Sequence, residues 1–210
     1  MDTSRVIGVD EANFSPSLAG DCVIVALYAI ERVEGVTDSK KLSKKEHKRL
    51  FAELQDKSVY HISLANVNNF PYRGISDSRN FGIIESVHGV LEVLPPNWRP
   101  TVARIQLDGN YGKKWMKEFR KSFNPLEVDA IVRGDSKIYE IGAASIIARV
   151  YADALFEGWN KFWPGYRLNQ NHGSPDSAMY EALREKGPSP MHRTRAYAKK
   201  WWSRIMKGKC

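Results

Sequence analysis

The chain has 210 residues, 42% hydrophobic and 27% charged, which suits one folded domain with a real core, perhaps with a small appendage, and excludes a low-complexity or disordered polymer. Its net charge of +8 and pI near 9.4 favour a polyanion as partner, nucleic acid before membrane, although a merely soluble basic protein would also carry such a surplus. Only Cys22 and Cys210 are present and no apolar run approaches the ~18 residues of a membrane span, so a disulfide framework, a cysteine zinc site and a transmembrane helix are excluded.

The opening MDTSRVIGVD lacks the features of a secretory signal, and a reducing, cytoplasmic setting is the expectation. Arg5 to Val9 reads as a strand ending at Asp10 and Glu11. Cys22 to Ile30 is a near-continuous apolar run of strand length, separated from the first by a turn rich in Ser, Pro and Gly, so the two could form a hairpin. Ser43 with Glu46 is a capping-box pattern, and Leu50, Phe51 and Leu54 give the helix that follows one apolar face. Val59 to Ala65 alternates as a strand. A helix is predicted from Asp77 to about Leu94, with Phe81, Ile84, Val87, Val90 and Leu91 on one side and Pro95-Pro96 as its stop.

Val102 to Leu107 is a strand ending at Asp108-Gly109, followed by a short helix over Lys113 to Lys121. Val128 to Val132 is a strand ending at Gly134-Asp135, and Ile138 to about Phe162 is a long helix. Pro164 to Pro175 reads as a polar loop, and the tail holds helical stretches near Asp176 to Lys186 and Arg193 to Met206. This order predicts an α/β protein, a mixed sheet flanked by helices with a C-terminal helical extension. The expected division is a catalytic core over residues 1–163 and an extension over 164–210.

The acids fall at strand ends: Asp10 and Glu11, Asp108, and Asp135. Strand ends are where side chains distant in sequence converge in an α/β sheet. Carboxylates packed together repel unless a cation joins them, and hard cations such as Mg²⁺ or Mn²⁺ take oxygen ligands. Two such ions ~4 Å apart activate a water and stabilise the leaving oxygen of a phosphodiester. Taken singly, each acid could instead be a turn former.

The same segments carry a resemblance. Ile7-Gly8-Val9-Asp10-Glu11-Ala12, Asp38-Ser39-Lys40-Lys41-Leu42-Ser43, Leu107-Asp108-Gly109, Arg133-Gly134-Asp135-Ser136-Lys137 with Ala143-Ala144-Ser145-Ile146-Ile147-Ala148-Arg149-Val150, and Gly187-Pro188-Ser189-Pro190-Met191-His192-Arg193 resemble, in order, the motifs of type 2 ribonucleases H (ribonuclease HII). The resemblance implies a ribonuclease H-like fold and a metal-dependent endonuclease that hydrolyses the RNA strand of RNA/DNA hybrids, leaving a 3′-hydroxyl. It implies Asp10, Glu11, Asp108 and Asp135 as catalytic metal ligands for Mg²⁺ or Mn²⁺, two during catalysis. It also suggests a monomer with no membrane association and no obligate protein partner.

The chain departs from the family at two places. Asn13-Phe14-Ser15 stands where Gly-Arg-Gly is usual, in the loop that grips the ribose hydroxyl at an RNA–DNA junction, and Ser174 follows His172-Gly173 where a stacking Tyr is common. Asn tolerates the left-handed backbone that Gly would take. Phe14 cannot replace a guanidinium but could stack on a sugar or base, or pack in the core. The expectation is retained chemistry with a weakened preference for a single embedded ribonucleotide.

Substrate contacts are expected from Asn13, Phe14, Ser15, Lys40, Lys41, Lys137, Ser145, His172, His192 and Arg193. Lys40 and Lys41 are favoured over Lys44 and Lys45 as phosphate contacts, and Ser145 has no partner pattern for a nucleophile. The tail, with Arg193, Arg195, Lys199, Lys200, Trp201, Trp202, Arg204, Lys207 and Lys209, reads as a duplex-binding surface or as a helix packing its tryptophans on the body, with a membrane-surface helix as a weaker third reading. Two rivals stay open: a non-cleaving hybrid or duplex binder, and a nuclease of the same fold acting on duplex RNA or DNA.

Overall fold

The computed structural model describes residues 5–14, 17–37, 39–66, 68, 75–194, 203, 205, 207 and 208, with 39 and 75 by backbone alone. The chain forms two compact units, the first comprising Met1–Ala12, Ile24–Ser63 and Gly82–Val150, the second Asn13–Val23, Leu64–Phe81 and Tyr151–Cys210. Of the sequence-based expectations, Ser15, Asp38, Cys210 and most of the helix over 193–206 lie outside the described residues.

Five strands, β1 (Val6–Ala12), β2 (Cys22–Ala29), β3 (Ser58–Ala65), β4 (Arg104–Asp108) and β5 (Glu127–Ile131), form one mixed sheet in the order β3-β2-β1-β4-β5. The expected neighbours β1 and β2 do lie side by side, and β1–β4 and β4–β5 pair in parallel. Parallel pairing demands crossovers, and the helices supply them. They are α1 (Lys44–Lys57), α2 (Ile75–Val93), α3 (Lys113–Ser122) and α4 (Tyr139–Phe162), with α5 (Leu168–Asn171) and α6 (Ser177–Lys186) in the tail. Among the described residues no helix is long and apolar enough to cross a membrane.

Local chemistry explains the elements. Every residue of β2 is buried, as its unbroken apolar run requires. Ser43 caps α1 through the Glu46 amide while the Glu46 carboxylate accepts from the Ser43 amide at 2.8 Å, completing the capping box. The buried side of α2 holds Ile83, Val87 and Val90, continued by Leu94 just past its end; Phe81, expected on that side, is 52% exposed because it falls off this stripe. The Pro164–Pro175 stretch, expected as loop, holds a 3-10 turn over Pro164–Tyr166 and the one-turn α5, with Tyr166 and Leu168 buried.

In β1, Ile7 and Val9 point to one side of the sheet and are fully buried, while Val6, Gly8 and Asp10 point to the other. The parallel register sets Val6 beside Arg104 and Gly8 beside Gln106, and two residues further along the same face come Asp10 and Asp108. The start of α4 crosses this face at Gly8, where an added Cβ would overlap the Glu140 carbonyl carbon and the Ile141 amide nitrogen. Only a residue without Cβ lets the helix lie so close. Gly8→Ala is therefore expected to cost about 3 kcal/mol, the upper end for overpacking against an immobile neighbour. Urea unfolding of the variant would measure it, and a loss below about 0.5 kcal/mol, the surface-substitution range, would refute the close crossing.

Candidate active site

The four predicted carboxylates arrive on three elements of the first unit. Asp10 and Glu11 lie near the end of β1, Asp108 is the last residue of β4, and Asp135 sits in a 3-10 turn, Gly134–Ser136, after β5. Gly142 on α4 backs that turn, since a Cβ there would stand 2.8 Å from the Asp135 carbonyl oxygen. Asp10 and Asp135 are each only 6% exposed, whereas Glu11 and Asp108 are half-buried. Buried carboxylates need donors. Asp10 accepts from the Glu11 amide at 2.7 Å and from the Ser145 side chain; Asp108 accepts from the Gly134 amide at 2.6 Å.

Burial, then the charges of Glu11 and Asp108, push the Asp10 carboxyl well above the usual carboxylate range. Burial also raises Asp108, opposed by the Gly134 amide and reinforced by the Asp135 charge. The acids thus form a linked series in which each feels the next, Glu11 with Asp10, Asp10 with Asp108, Asp108 with Asp135. A cation among the described residues reaches them: Lys40 Nζ lies 3.3 Å from Asp135 Oδ2, on a side chain 81% exposed. Among the described residues no three Asp, Glu, His or Cys side chains are arranged, as they stand, to hold one metal ion. The donor set itself, oxygen-only and mutually repelling, is the chemistry a hard divalent cation takes.

The other expected contacts fall into two groups. In the first unit, Lys41 is exposed, the exposed Lys137 donates to the Val132 carbonyl at 2.7 Å, and the buried Ser145 serves Asp10. In the second unit, Asn13 takes the left-handed backbone expected of it, at φ 62°, and its amide nitrogen holds the Ala19 and Asp21 carbonyls at 3.0 and 2.9 Å. Phe14 is half-buried, and the Arg79 guanidinium lies 4.2 Å from its ring centroid, a pairing no spacing in the sequence signals. His172 is 3.0 Å from Asp153 Oδ1.

Arg193 is 1% exposed. Its guanidinium donates to the carbonyls of Gly20 at 2.8 Å and Phe14 at 2.6 Å, and to those of Ser17 and Asn13, so it pins the loop after β1. His192 is equally buried, with the Ser189 amide donating to its Nδ1 at 3.0 Å. Burial draws its imidazole down to about 4 from an ordinary 6.5. Between those values the unfolded chain binds a proton that the folded chain refuses, so stability is full above pH 6.5, falls as the pH drops towards 4, and levels below. The loss from this group between pH 7 and pH 5 is expected to be about 2 kcal/mol, at 1.36 kcal/mol per pH unit. Urea unfolding at both pH values, for the parent and His192→Gln, checks it; identical pH slopes would contradict the assignment.

The sequence profile described as Ribonuclease HII matches residues 7–205. The chain belongs to the ribonuclease HII family. It is therefore grouped with the endoribonucleases of ribonuclease H type. It is 28% identical over 189 residues to the ribonuclease HII of Aliarcobacter butzleri, covering 90% of this chain and 88% of that one. Among solved structures it superposes on ribonuclease H2 from Pyrococcus horikoshii with a TM-score of 0.71 at 24% identity, over 96% of this chain and 99% of that one. It superposes on Bst-RNase HIII in complex with Mn²⁺ with a TM-score of 0.66 at 16% identity, over 97% of this chain and 70% of that one. The ribonuclease H-like fold expected from the motifs is the fold found.

Proposed function

We propose that the chain hydrolyses the RNA strand of RNA/DNA hybrids, with Asp10, Glu11, Asp108 and Asp135 as ligands of Mg²⁺ or Mn²⁺. The observation that carries this is the gathering of these acids on the first unit, where the parallel β1–β4 register brings Asp10 and Asp108 to one face, with Asp10 raised by burial and then by the charges of Glu11 and Asp108. Support for the metal comes from the oxygen donor set and from a fold neighbour that is in complex with Mn²⁺. When bound, two divalent ions would lower the pKa of the attacking water and offset charge on the leaving oxygen.

The chain's own residues prepare the site. Ser145 and the Glu11 amide orient Asp10, and the Gly134 amide orients Asp108. Lys40, mostly exposed and paired with Asp135, and the exposed Lys41 supply positive charge for a substrate phosphate, a sequence-independent attraction. Arg193 acts indirectly, through the loop it pins. Residues 1–163 serve as catalytic core and 164–210 as an extension, in a monomer acting in the cytoplasm without an obligate protein partner.

With Phe14 and Ser174 in place of the family's usual Arg and Tyr, runs of RNA on DNA are expected to be cut faster than a single ribonucleotide embedded in duplex DNA. Labelled RNA/DNA hybrid, single-ribonucleotide duplex, duplex RNA and duplex DNA, each with Mg²⁺ or Mn²⁺, test both points. Faster cutting of the single ribonucleotide would remove the altered preference and leave the activity standing. Binding of hybrid without cutting under either metal would remove the activity.

A further inference from the structure

On the first unit, a cavity of about 550 Å³ is lined by residues at the start of β1, in β4 and around the start of α4, with none of the four acids in its lining. Gln106, at its edge, is two residues before Asp108, about 7 Å along the strand. Four cationic side chains, Arg5, Arg32, Arg104 and Lys137, line it, and all four are exposed. Two are partly engaged: Arg104 meets Glu127 at 2.7 Å, and Lys137 donates to the Val132 carbonyl. A carboxylate lies among them. Glu140 is 3% exposed, and its Oε1 is buried with no hydrogen-bond partner.

These features specify a ligand with two ends. The cations call for an anion, and the first turn of the long helix α4 adds the positive end of its dipole. The Glu140 oxygen calls for a donor, because an acceptor left unsatisfied in a buried place is costly. A simple phosphate would leave most of the volume unfilled, and a polyamine would face four like charges. The Arg32 guanidinium, held 5.1 Å above the Tyr139 ring centroid, offers a planar cationic face of the kind on which nucleobases stack. The volume fits a small organic ligand rather than a bare ion.

We propose that this cavity binds a nucleotide, with its phosphomonoester among Arg5, Arg104 and Lys137 and a base N–H donating to Glu140. The same chemistry belongs to a free mononucleotide and to the 5′-phosphorylated end of an oligonucleotide. The site is separate from the four carboxylates and does not depend on their function.

Calorimetric titration of the whole protein with AMP, adenosine, inorganic phosphate and 5′-phosphorylated ApA, all in chelator, tests it. AMP is expected to bind more tightly than adenosine or phosphate. Arg5→Gln with Arg104→Gln, both on exposed side chains, should weaken AMP and phosphate by about tenfold, the loss expected for charge-assisted contacts. Glu140→Gln, which removes a negative charge, should weaken AMP relative to phosphate. Binding of the phosphorylated dinucleotide as tightly as AMP points to chain ends, and its exclusion points to free nucleotides. Absence of saturable AMP binding, or an affinity indifferent to the two arginine substitutions, overturns the proposal, and indifference to Glu140→Gln overturns the placement of the base.

Discussion

Asp10→Asn is expected to lower hybrid hydrolysis on the order of a thousandfold and, in chelator, to raise the melting temperature by a few degrees. The rate loss follows from a metal ligand contributing several kcal/mol to the transition state, at tenfold per 1.36 kcal/mol. The gain in stability follows from the electrostatics of the folded chain. Asp10 is buried beside Glu11 and near Asp108, so its carboxyl is raised in the folded state. A carboxyl of that kind subtracts stability once the pH exceeds its unfolded value, and neutral Asn removes that penalty. Relief of about 1 kcal/mol in a chain of this size corresponds to roughly 2–4 °C. Mn²⁺ should then raise the melting temperature of the parent more than that of the variant, since a ligand that binds only the folded state stabilises it. Thermal melts with and without Mn²⁺, beside a cleavage assay, give both readouts. A variant that cuts like the parent, or melts lower in chelator, contradicts the role assigned to Asp10.

The second large effect is structural. Arg193→Met keeps the volume and removes every donor, leaving the carbonyls of Asn13, Phe14, Ser17 and Gly20 without that partner. Hydrogen bonds to a charged group contribute about 1.5–3 kcal/mol each, and the loop can recover part of that by relaxing. A loss of about 3–5 kcal/mol on urea unfolding is expected. Arg193→Lys should recover only a fraction, because an ammonium cannot reach four carbonyls from one planar fork. A loss below about 1 kcal/mol for Arg193→Met, the median for an arbitrary substitution, would show that the loop after β1 does not depend on this side chain.

Much of the fold was legible because local signals and tertiary structure agree. The β2 run, the Ser43–Glu46 box and the Pro95-Pro96 stop each mark an element that forms where it was expected. The acids at strand ends were legible for the same reason: a parallel β1–β4 register turns two Asp residues far apart in sequence into neighbours on one face. What stayed hidden depends on partners far along the chain or on very short elements. Arg193 reads as a basic surface residue until the carbonyls from a loop about 175 residues earlier surround it. Phe14 could be placed neither in the core nor at a substrate, and its Arg79 partner is invisible without the fold. The turn Pro164–Tyr166 and α5 are too short to show a period, and Arg167 and His172, which flank α5, take left-handed backbone that their residue types do not announce.

The most direct measurement is cleavage of an end-labelled RNA strand in an RNA/DNA hybrid, with Mg²⁺, with Mn²⁺ and with chelator, for the parent and for Asp108→Asn. Metal-dependent cutting by the parent, leaving 3′-hydroxyl ends, together with a variant that still binds the hybrid but does not cut it, is the expected result. Equal cutting in chelator, or undiminished cutting by Asp108→Asn, would show that these carboxylates do not carry the reaction.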